Sequence, residues 1–180
     1  GIWGAGTAGQ LLARAARALG AASVRLIEPD PNRRQQADIL AQPGEHRFDL
    51  ALCAVGHPDA YAEALLTLQP RGRLVVFSGL PPAAPPPPLS LNQLHYLEQT
   101  VVGAYGCSIR HSRQALDLIR TGRVPVDDLI SRRLPLADLA VALDHVAHRR
   151  GYKNLLYPHP GTPPQDRKST RLNSSHATLS

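Results

Sequence analysis

The chain has 180 residues, of which 43% are hydrophobic and 19% are charged, a balance typical of a globular protein with one sizeable core. Its net charge of +6 comes from basic residues scattered through the sequence, without a basic stripe interleaved with aromatic side chains. The composition therefore argues against nucleic-acid binding. The lack of an apolar run of about 18 residues argues against a membrane span.

The predicted elements alternate between strands and helices. Phe48–Gly56 is nearly continuous in apolar residues, as expected for a strand covered on both faces of a parallel sheet. Parallel strands need crossover connections, so the alternation predicts an α/β fold with a doubly wound sheet. In the first half of the chain we predict a strand end at 1–3, a helix that stops at Gly20, a strand that ends at Glu28, a helix that begins with PDPNRR, and the strand Phe48–Gly56. A helix at Asp59–Leu68, a strand at Gly72–Gly79 and an extended loop at Pro81–Pro88 follow. The last predicted elements are a strand at TVVGAYG, a helix closed by Gly122, a helix at LADLAVALDHVAHRR and a final strand at KNLLYP.

The ends of the chain and its cysteines bear on its origin. The sequence contains no Met and opens on GIWGAGTAG, so we interpret it as a fragment. We expect a disordered tail at 161–180, and we exclude 166–180 from functional interpretation because DRKSTRLNSSH coincides with one reading frame of a common sequencing adapter. Cys53 and Cys107 have neither the density of a secreted disulfide scaffold nor the spacing of a metal site, which favours a reduced, cytoplasmic setting.

The segment GAGTAG, with Gly4, Gly6 and Gly9, fits the GxGxxG pattern of dinucleotide-binding turns. The first glycine permits a tight turn, the second lets the backbone approach a pyrophosphate, and the third lets the helix pack closely on the strand. The helix N-terminus at Thr7 and Ala8 then offers free N–H groups and the positive end of its dipole to the phosphates. By itself the pattern is not specific, because flavin enzymes and methyltransferases use relatives of it.

An acidic residue in the right place makes the glycine loop more specific. Glu28 lies 19 residues after Gly9, at the end of the next predicted strand, where a carboxylate would accept hydrogen bonds from an adenosine ribose. The alternative interpretation is a solvated strand end. The glycine loop favours ribose recognition.

The histidines are weaker candidates. His145 and His148 share a predicted helix with Asp144, but nothing nearby completes a metal site, so a solvated helix face is favoured. His57 follows the predicted strand Phe48–Gly56 at the end where ligands gather in such sheets, and it is equally consistent with an ordinary loop residue. The residues alone therefore indicate a nucleotide site and no catalytic group.

Six segments, taken in order, resemble the medium-chain, zinc-dependent alcohol dehydrogenase superfamily, on its sorbitol, iditol or threonine dehydrogenase-like side. The similarity runs from Gly1 to about Pro158. It implies a Rossmann-type doubly wound parallel sheet, an NAD-binding domain at 1–106, and a segment at 107–160 that returns to pack on an absent catalytic domain. The segments are GAGTAG, IEPDPNRRQQA, FDLALCAVG, LQPRGRLVVFSGL, LNQLHYLEQTVVGAYG and ISRRLPLADLAVALDHV.

The resemblance also implies roles for individual residues. Glu28 occupies the acidic position that selects NAD over NADP, and Arg33 and Ala37 fall at the matching helix positions. Arg33 and Arg34 could attract the phosphate of NADP, but we expect their helix to point both side chains into solvent. The remaining contacts that it implies are backbone ones to the nicotinamide end from Ser78, Ala104 and Gly106, and a basic one to the pyrophosphate from Lys153.

The activity that the resemblance implies is hydride transfer from a secondary alcohol or polyol to NAD, with a zinc ion that polarises the alcohol oxygen. The zinc ligands of the family are expected outside this chain, and neither Cys53 nor Cys107 takes that role. We expect a small-molecule substrate, a homo-oligomer, and no nucleic-acid or membrane partner. Two alternatives stay open: a zinc-free NAD(P)-dependent reductase of the same superfamily, and a nucleotide-binding module without catalysis.

The sequence departs from the family pattern in one place. Only ten residues separate Ala37 from Phe48, where the family usually has a third strand and another helix. This short connection argues against a full six-stranded sheet.

Overall fold

The computed structural model describes residues 1–34 and 46–158. The chain divides into two compact units, Gly1–Asp128 and a second unit that begins at Leu129. The strands are β1 (Ile2–Trp3), β2 (Leu26–Ile27), β3 (Phe48–Cys53), β4 (Leu68–Val76), β5 (Thr100–Gly103), β6 (Ile130–Pro135) and β7 (Lys153–Tyr157), and the α-helices are α1 (Thr7–Ala18), α2 (Pro31–Arg34), α3 (Pro58–Leu66), α4 (Leu91–Tyr96), α5 (Ile109–Arg120) and α6 (Leu139–Ala147).

The first unit is built on a parallel sheet with the strand order β2-β1-β3-β4-β5. All four neighbouring pairs are parallel; Trp3, for example, lies beside Ile27 on one side and Cys53 on the other. The helical crossovers between these strands give the Rossmann-type α/β fold that the sequence predicts. Among the described residues the sheet has five strands; the segment that would carry a further strand, including Ala37, lies outside them.

Alternating side chains of the short strands β1 and β2 face two separate apolar cores, because successive residues of a strand point to opposite faces. Ile2 and Leu26 belong to the core that also contains Ala13 of α1. Trp3 and its neighbours belong to the core on the other face, where α3 packs. The buried residues of this second core are Trp3, Ile27, Ala51, Cys53, Tyr61, Ala64, Leu65, Leu68 and Leu74.

The second unit is a parallel strand pair, β6 and β7, joined through α6. The side-chain amide of Asn154 in β7 donates to the carbonyl of Ala142 in α6 at 3.1 Å, which holds the helix against the strands. Much of α6 is nevertheless uncovered within its own unit. Four of its apolar side chains are exposed, namely Leu139, Val141, Leu143 and Val146.

The sequence-based account differs from the structure at several elements. The helix α4 and the strand β6 are not among the predicted elements, and Leu50 of β3 is exposed, so that strand is not covered along its full length on both faces. The first unit covers Gly1–Asp128, and the predicted NAD-binding domain at 1–106 lies within it. The predicted tail at 161–180 lies outside the described residues.

Candidate functional site

The candidate site lies at the carboxyl ends of β1 and β3. The chain leaves β1 towards β2 and later places β3 on the opposite side of β1, so the strand order reverses there. Ligands of open α/β sheets bind in the crevice that such a reversal creates. The loops after the two strands touch: a Cβ built on Gly4 would lie 3.3 Å from the Val55 Cβ and 3.4 Å from the Ala54 carbonyl oxygen.

The three glycines of the loop meet three different geometrical demands. Gly4 has a φ of +98°, which a side chain would strain. A Cβ on Gly9 would lie 1.8 Å from the carbonyl oxygen of Gly4, so the missing side chain is what allows α1 to begin directly against the loop. Gly6 faces open space except for the Arg33 Nη1, 3.2 Å from the position of a built Cβ.

The start of α1 presents backbone donors without a side-chain cap. Its N-cap is Gly6, which has no side chain, and the first turn contains no acidic residue. The first N–H groups of a helix have no carbonyl partner within it, and the helix dipole adds positive potential there. This end of α1, with Thr7 and Ala8 in its first turn, is therefore suited to an anion such as a pyrophosphate.

Glu28 is fixed beside this loop by two backbone hydrogen bonds. Its Oε2 accepts from the N–H of Ala5 at 2.9 Å, and its Oε1 accepts from the N–H of Asp30 at 3.1 Å. The carboxylate, half-buried just after β2, thus joins the glycine loop to the segment that enters α2. Each carboxylate oxygen has a second lone pair, so Glu28 can still accept from a ligand hydroxyl.

The two arginines of α2 do not point freely into solvent, contrary to the sequence-based expectation. Both side chains are half-buried. Arg34 folds back and donates from Nη2 to the Pro29 carbonyl at 2.8 Å, while the Arg33 guanidinium lies beside Gly6. A positive charge therefore adjoins the loop next to the Glu28 carboxylate.

The turn after β4 is clamped to the end of β3. The N–H of Ser78 donates to the Cys53 carbonyl at 3.0 Å, and the hydroxyl of Tyr61 in α3 donates to the Ser78 carbonyl. Burial raises the pKa of Tyr61, so the phenol keeps its proton and stays a donor. Gly56 completes the clamp, because its Cβ would lie 2.2 Å from the carbonyl oxygen of Gly79.

The other residues implied by the resemblance fall in two places. Ala104 follows β5 and donates to the Val76 carbonyl at 3.0 Å, and Gly106, with a φ of +68°, comes two residues later. Both are exposed at the carboxyl edge of the sheet, the edge that carries the glycine loop and Ser78. Lys153 belongs to the second unit, where it begins β7 and pairs with Ile130. The first unit therefore contains every predicted cofactor residue except Lys153.

The histidines have local structural explanations. His57 is the N-cap of α3, and its Nδ1 accepts from the N–H of Asp59 at 3.3 Å. On α6, the His148 Nδ1 lies 3.1 Å from the Asp144 Oδ1, and both side chains are exposed. Within residues 1–34 and 46–158 no group of three or more His, Cys, Asp or Glu side chains could hold a metal ion.

The two cysteines are both free thiols, in opposite environments. Cys53 is fully buried at the end of β3, and burial raises the pKa of its thiol to about 12. Cys107 is exposed next to Gly106. In the described part of the chain, the helices are too short or too polar to cross a membrane.

Tyr61 and Ala5 are the participants that sequence reasoning missed. Ala5 acts through its backbone N–H, which no side-chain pattern reports. The sequence gives no sign that Tyr61 is more than an ordinary core aromatic of α3, because only the packing of α3 on the sheet brings its hydroxyl to Ser78.

The sequence of this chain is similar to those of known dehydrogenases. The sequence profile of a family described as zinc-binding dehydrogenase matches residues 13–121. The 2-dehydro-3-deoxy-L-galactonate 5-dehydrogenase of Pseudoalteromonas atlantica is 28% identical over 173 residues, which cover 86% of this chain and 50% of that protein. This chain therefore spans about half the length of the curated relative that it matches.

Solved structures show the same fold. An alcohol dehydrogenase from Thermotoga maritima superposes with a TM-score of 0.77 at 26% identity, covering 88% of this chain and 49% of that one. A 2R,3R-butanediol dehydrogenase from Bacillus subtilis superposes with a TM-score of 0.76 at 23% identity, covering 88% and 50%. The parallel-sheet fold of this chain is thus shared with solved dehydrogenase structures.

Proposed function

The chain belongs to the zinc-binding dehydrogenase family, and from this premise we propose that its first unit binds NAD for an oxidoreductase that takes hydride from a secondary alcohol or polyol. The observation that carries this proposal is the glycine loop joined to the Glu28 carboxylate where the strand order reverses. The N–H groups at the start of α1 would bind the pyrophosphate, and Glu28 would accept from the ribose hydroxyls. When bound, the nicotinamide supplies the hydride acceptor.

The names of similar proteins support the reaction class but do not distinguish NAD from NADP, so the cofactor preference is argued from Glu28. The matched proteins from Pseudoalteromonas atlantica, Bacillus subtilis and Thermotoga maritima are all named as dehydrogenases. A fold neighbour from Sinorhizobium meliloti is bound to NADP, and one from E. coli is complexed with NADH. Glu28 favours NAD, because a 2′-phosphate beside it would meet a like charge and lose the ribose hydrogen bonds.

Several residues would position the nicotinamide end. The backbone of Ser78, Ala104 and Gly106 lies along the carboxyl edge of the sheet, where the ring of a dinucleotide would extend from the glycine loop. Tyr61 acts here as a positioning residue, since its hydroxyl orients the Ser78 carbonyl. For Lys153 we propose the contact to the pyrophosphate.

The zinc that the family name implies does not fit the described residues, which contain no group of three suitable ligands. We propose that the ligands lie in the half of the relatives' length that this chain does not match. A gene product that includes the other half and binds one zinc per chain would support a zinc-type dehydrogenase. An active enzyme without zinc would favour the reductase alternative. An inactive protein without zinc would favour the non-catalytic module.

We further propose a homo-oligomer in the cytoplasm, with a small-molecule alcohol or polyol as substrate and no nucleic-acid or membrane partner. The strand β5 ends the sheet of the first unit, and Val101 and Val102 on it are exposed. Exposed apolar edge strands favour pairing with another chain. Two free thiols suit a reducing compartment. A monomeric mass by light scattering, or recovery of the protein outside the cytoplasmic fraction, would contradict these two assignments.

The cofactor proposal can be tested by fluorescence. Trp3, the only tryptophan, directly precedes the glycine loop, so energy transfer from Trp3 to bound NADH or NADPH reports occupancy of the site. We expect NADH to bind about tenfold or more tightly than NADPH, because removing one charge-assisted hydrogen-bond set costs about 1.5–3 kcal/mol. The Glu28→Ser variant should lose this preference at fixed ionic strength. Equal affinities in the parent protein, or an unchanged preference in the variant, would show that Glu28 is not the selector.

A second variant tests the loop itself. In Gly6→Val the new side chain would displace only the flexible end of Arg33 within the protein but would occupy the approach to the pyrophosphate. We expect a folded protein by circular dichroism that binds neither NADH nor NADPH. Unchanged NADH affinity in the folded variant would mean that the loop is only a turn.

A further inference from the structure

A surface cavity lies at the other end of α1, and its described lining belongs to the first unit. Its volume is about 440 Å³, within the range of about 300–1,000 Å³ that is common for small-molecule sites. Nothing in the proposed dehydrogenase function uses it. The residues that line it are Arg14, Arg17, Ala18, Arg123, Pro125 and Asp128.

One of the three arginines is neutralised within the cavity. Arg14, a buried residue, donates from Nη1 and Nη2 to the two carboxylate oxygens of Asp128 at 2.6 and 2.5 Å, and from Nη1 to the Pro125 carbonyl at 2.7 Å. The hydrogen bonds from Arg14 hold the pKa of Asp128 below its usual range, so the carboxylate stays charged. Among the described residues of the lining, Asp128 is the only acidic one, and both of its carboxylate oxygens accept from Arg14.

No second carboxylate is present, among the lining residues that the structure describes, to pair with Arg17 or Arg123. Arg123 donates from Nη2 to the carbonyl of Ala18 at the end of α1. Arg17 has its Nη2 buried without a hydrogen-bond acceptor among the described residues. A buried guanidinium donor that lacks an acceptor costs free energy, so the chain itself does not fully satisfy the Arg17 side chain.

We propose that this cavity binds a phosphate group, either inorganic phosphate or the phosphate of a small monoester. The described residues of the lining carry three guanidinium groups and one carboxylate, which leaves two positive charges to match a phosphate dianion. Guanidinium groups present paired N–H donors that fit phosphate oxygens. The site is separate from the glycine loop, so the proposal does not depend on dinucleotide binding.

The test is a titration with sodium phosphate at constant ionic strength, read from the arginine side-chain signals in ¹H–¹⁵N spectra. A saturable shift of the Arg17 side-chain signal is expected, and it should persist in Gly6→Val, whose glycine loop no longer accepts phosphate. A parallel titration with glycerol phosphate identifies the source: tighter binding than inorganic phosphate assigns the site to monoesters. Weaker binding assigns it to the free ion.

Matched variants locate the site. Arg17→Gln should weaken phosphate binding about tenfold or more, whereas Arg113→Gln, the same change at an exposed position of α5 outside the cavity, should alter it less than about twofold. Arg17→Lys keeps the charge but loses the paired donors, so an intermediate loss is expected. The proposal is overturned if no shift saturates, or if the Arg17 and Arg113 variants bind phosphate equally. In that case Arg17 serves only the carbonyl end of its helix.

Discussion

The two ends of α1 differ in what they offer to an anion. At the N-terminus side chains are absent: Gly6 leaves the first backbone N–H groups uncovered, and Gly9 lets the helix begin directly against the loop. The Glu28 carboxylate accepts from the Ala5 N–H in the same loop. At the C-terminus long side chains are present: Arg17 lies in the last turn, and Arg123 donates to the Ala18 carbonyl. The proposed pyrophosphate site at one end of the helix therefore depends on backbone atoms, so an added side chain should interfere with it. The proposed phosphate site at the other end depends on side chains, which can be substituted one at a time.

This comparison predicts the largest effect at Gly9. In Gly9→Ala the new methyl would lie 1.8 Å from the Gly4 carbonyl oxygen, a backbone atom that cannot move without displacing the loop. We expect a loss of about 4 kcal/mol or more in the free energy of unfolding, with loss of NADH binding. Urea denaturation measures the first and Trp3 fluorescence the second. A stable Gly9→Ala protein that binds NADH normally would show that the loop is not closely packed.

An intermediate effect is expected where α1 is tied to the Pro125–Asp128 segment. Arg14→Gln removes the paired bonds to Asp128, and because Asp128 is 60% exposed the loss is limited to about 2 kcal/mol. Asp128 has a lower pKa in the folded state than its ordinary value of 3.8. The ion pair therefore stabilises the fold fully above about pH 3.8, and this stabilisation is lost as the pH falls through the lowered pKa of the folded state. The gap between parent and variant in urea denaturation should therefore shrink between pH 7 and about pH 3. A gap independent of pH would contradict the ion pair.

The smallest effect is expected at Gly20, which follows the C-terminus of α1. It has a φ of +100°, but nothing lies within 4 Å of a built Cβ. Gly20→Ala should therefore cost only the backbone strain, about 1–2 kcal/mol, and leave NADH binding unchanged. Thermal denaturation and the fluorescence titration check both statements. If Gly20→Ala lowered the free energy of unfolding as much as Gly9→Ala, the close contact at Gly9 would not be the cause of the larger effect expected there.

The N-terminal end of α1 was predictable from the sequence because its signals are local. GAGTAG, the helix that ends before Gly20, and Glu28 after the next strand all lie within the first 28 residues, and each has a short-range cause. The turn at Gly4 and the close packing at Gly9 have the geometry that the glycine spacing predicts.

The C-terminal end was not predictable, since its contacts join distant parts of the chain. Arg14 and Asp128 are 114 positions apart, and in the sequence both resemble ordinary solvated charges. The strand β6 was missed for a different reason: ISRRLP has two adjacent arginines and no clear alternation, so its pairing with β7 determines its conformation. The helix α4 has a local signal in its N-cap Ser90, which accepts from the N–H of Gln93.

The two cysteines differ so much in exposure that only one of them should react with a thiol reagent in the folded protein. A thiol with a pKa near 12 forms almost no thiolate at neutral pH, so Cys53 resists alkylation while the fold is intact. Cys107 is open to solvent one residue beyond Gly106, at the sheet edge that carries the glycine loop. A maleimide dye would attach there without any engineered residue, and with the single Trp3 inside the sheet it would form a donor–acceptor pair native to the protein.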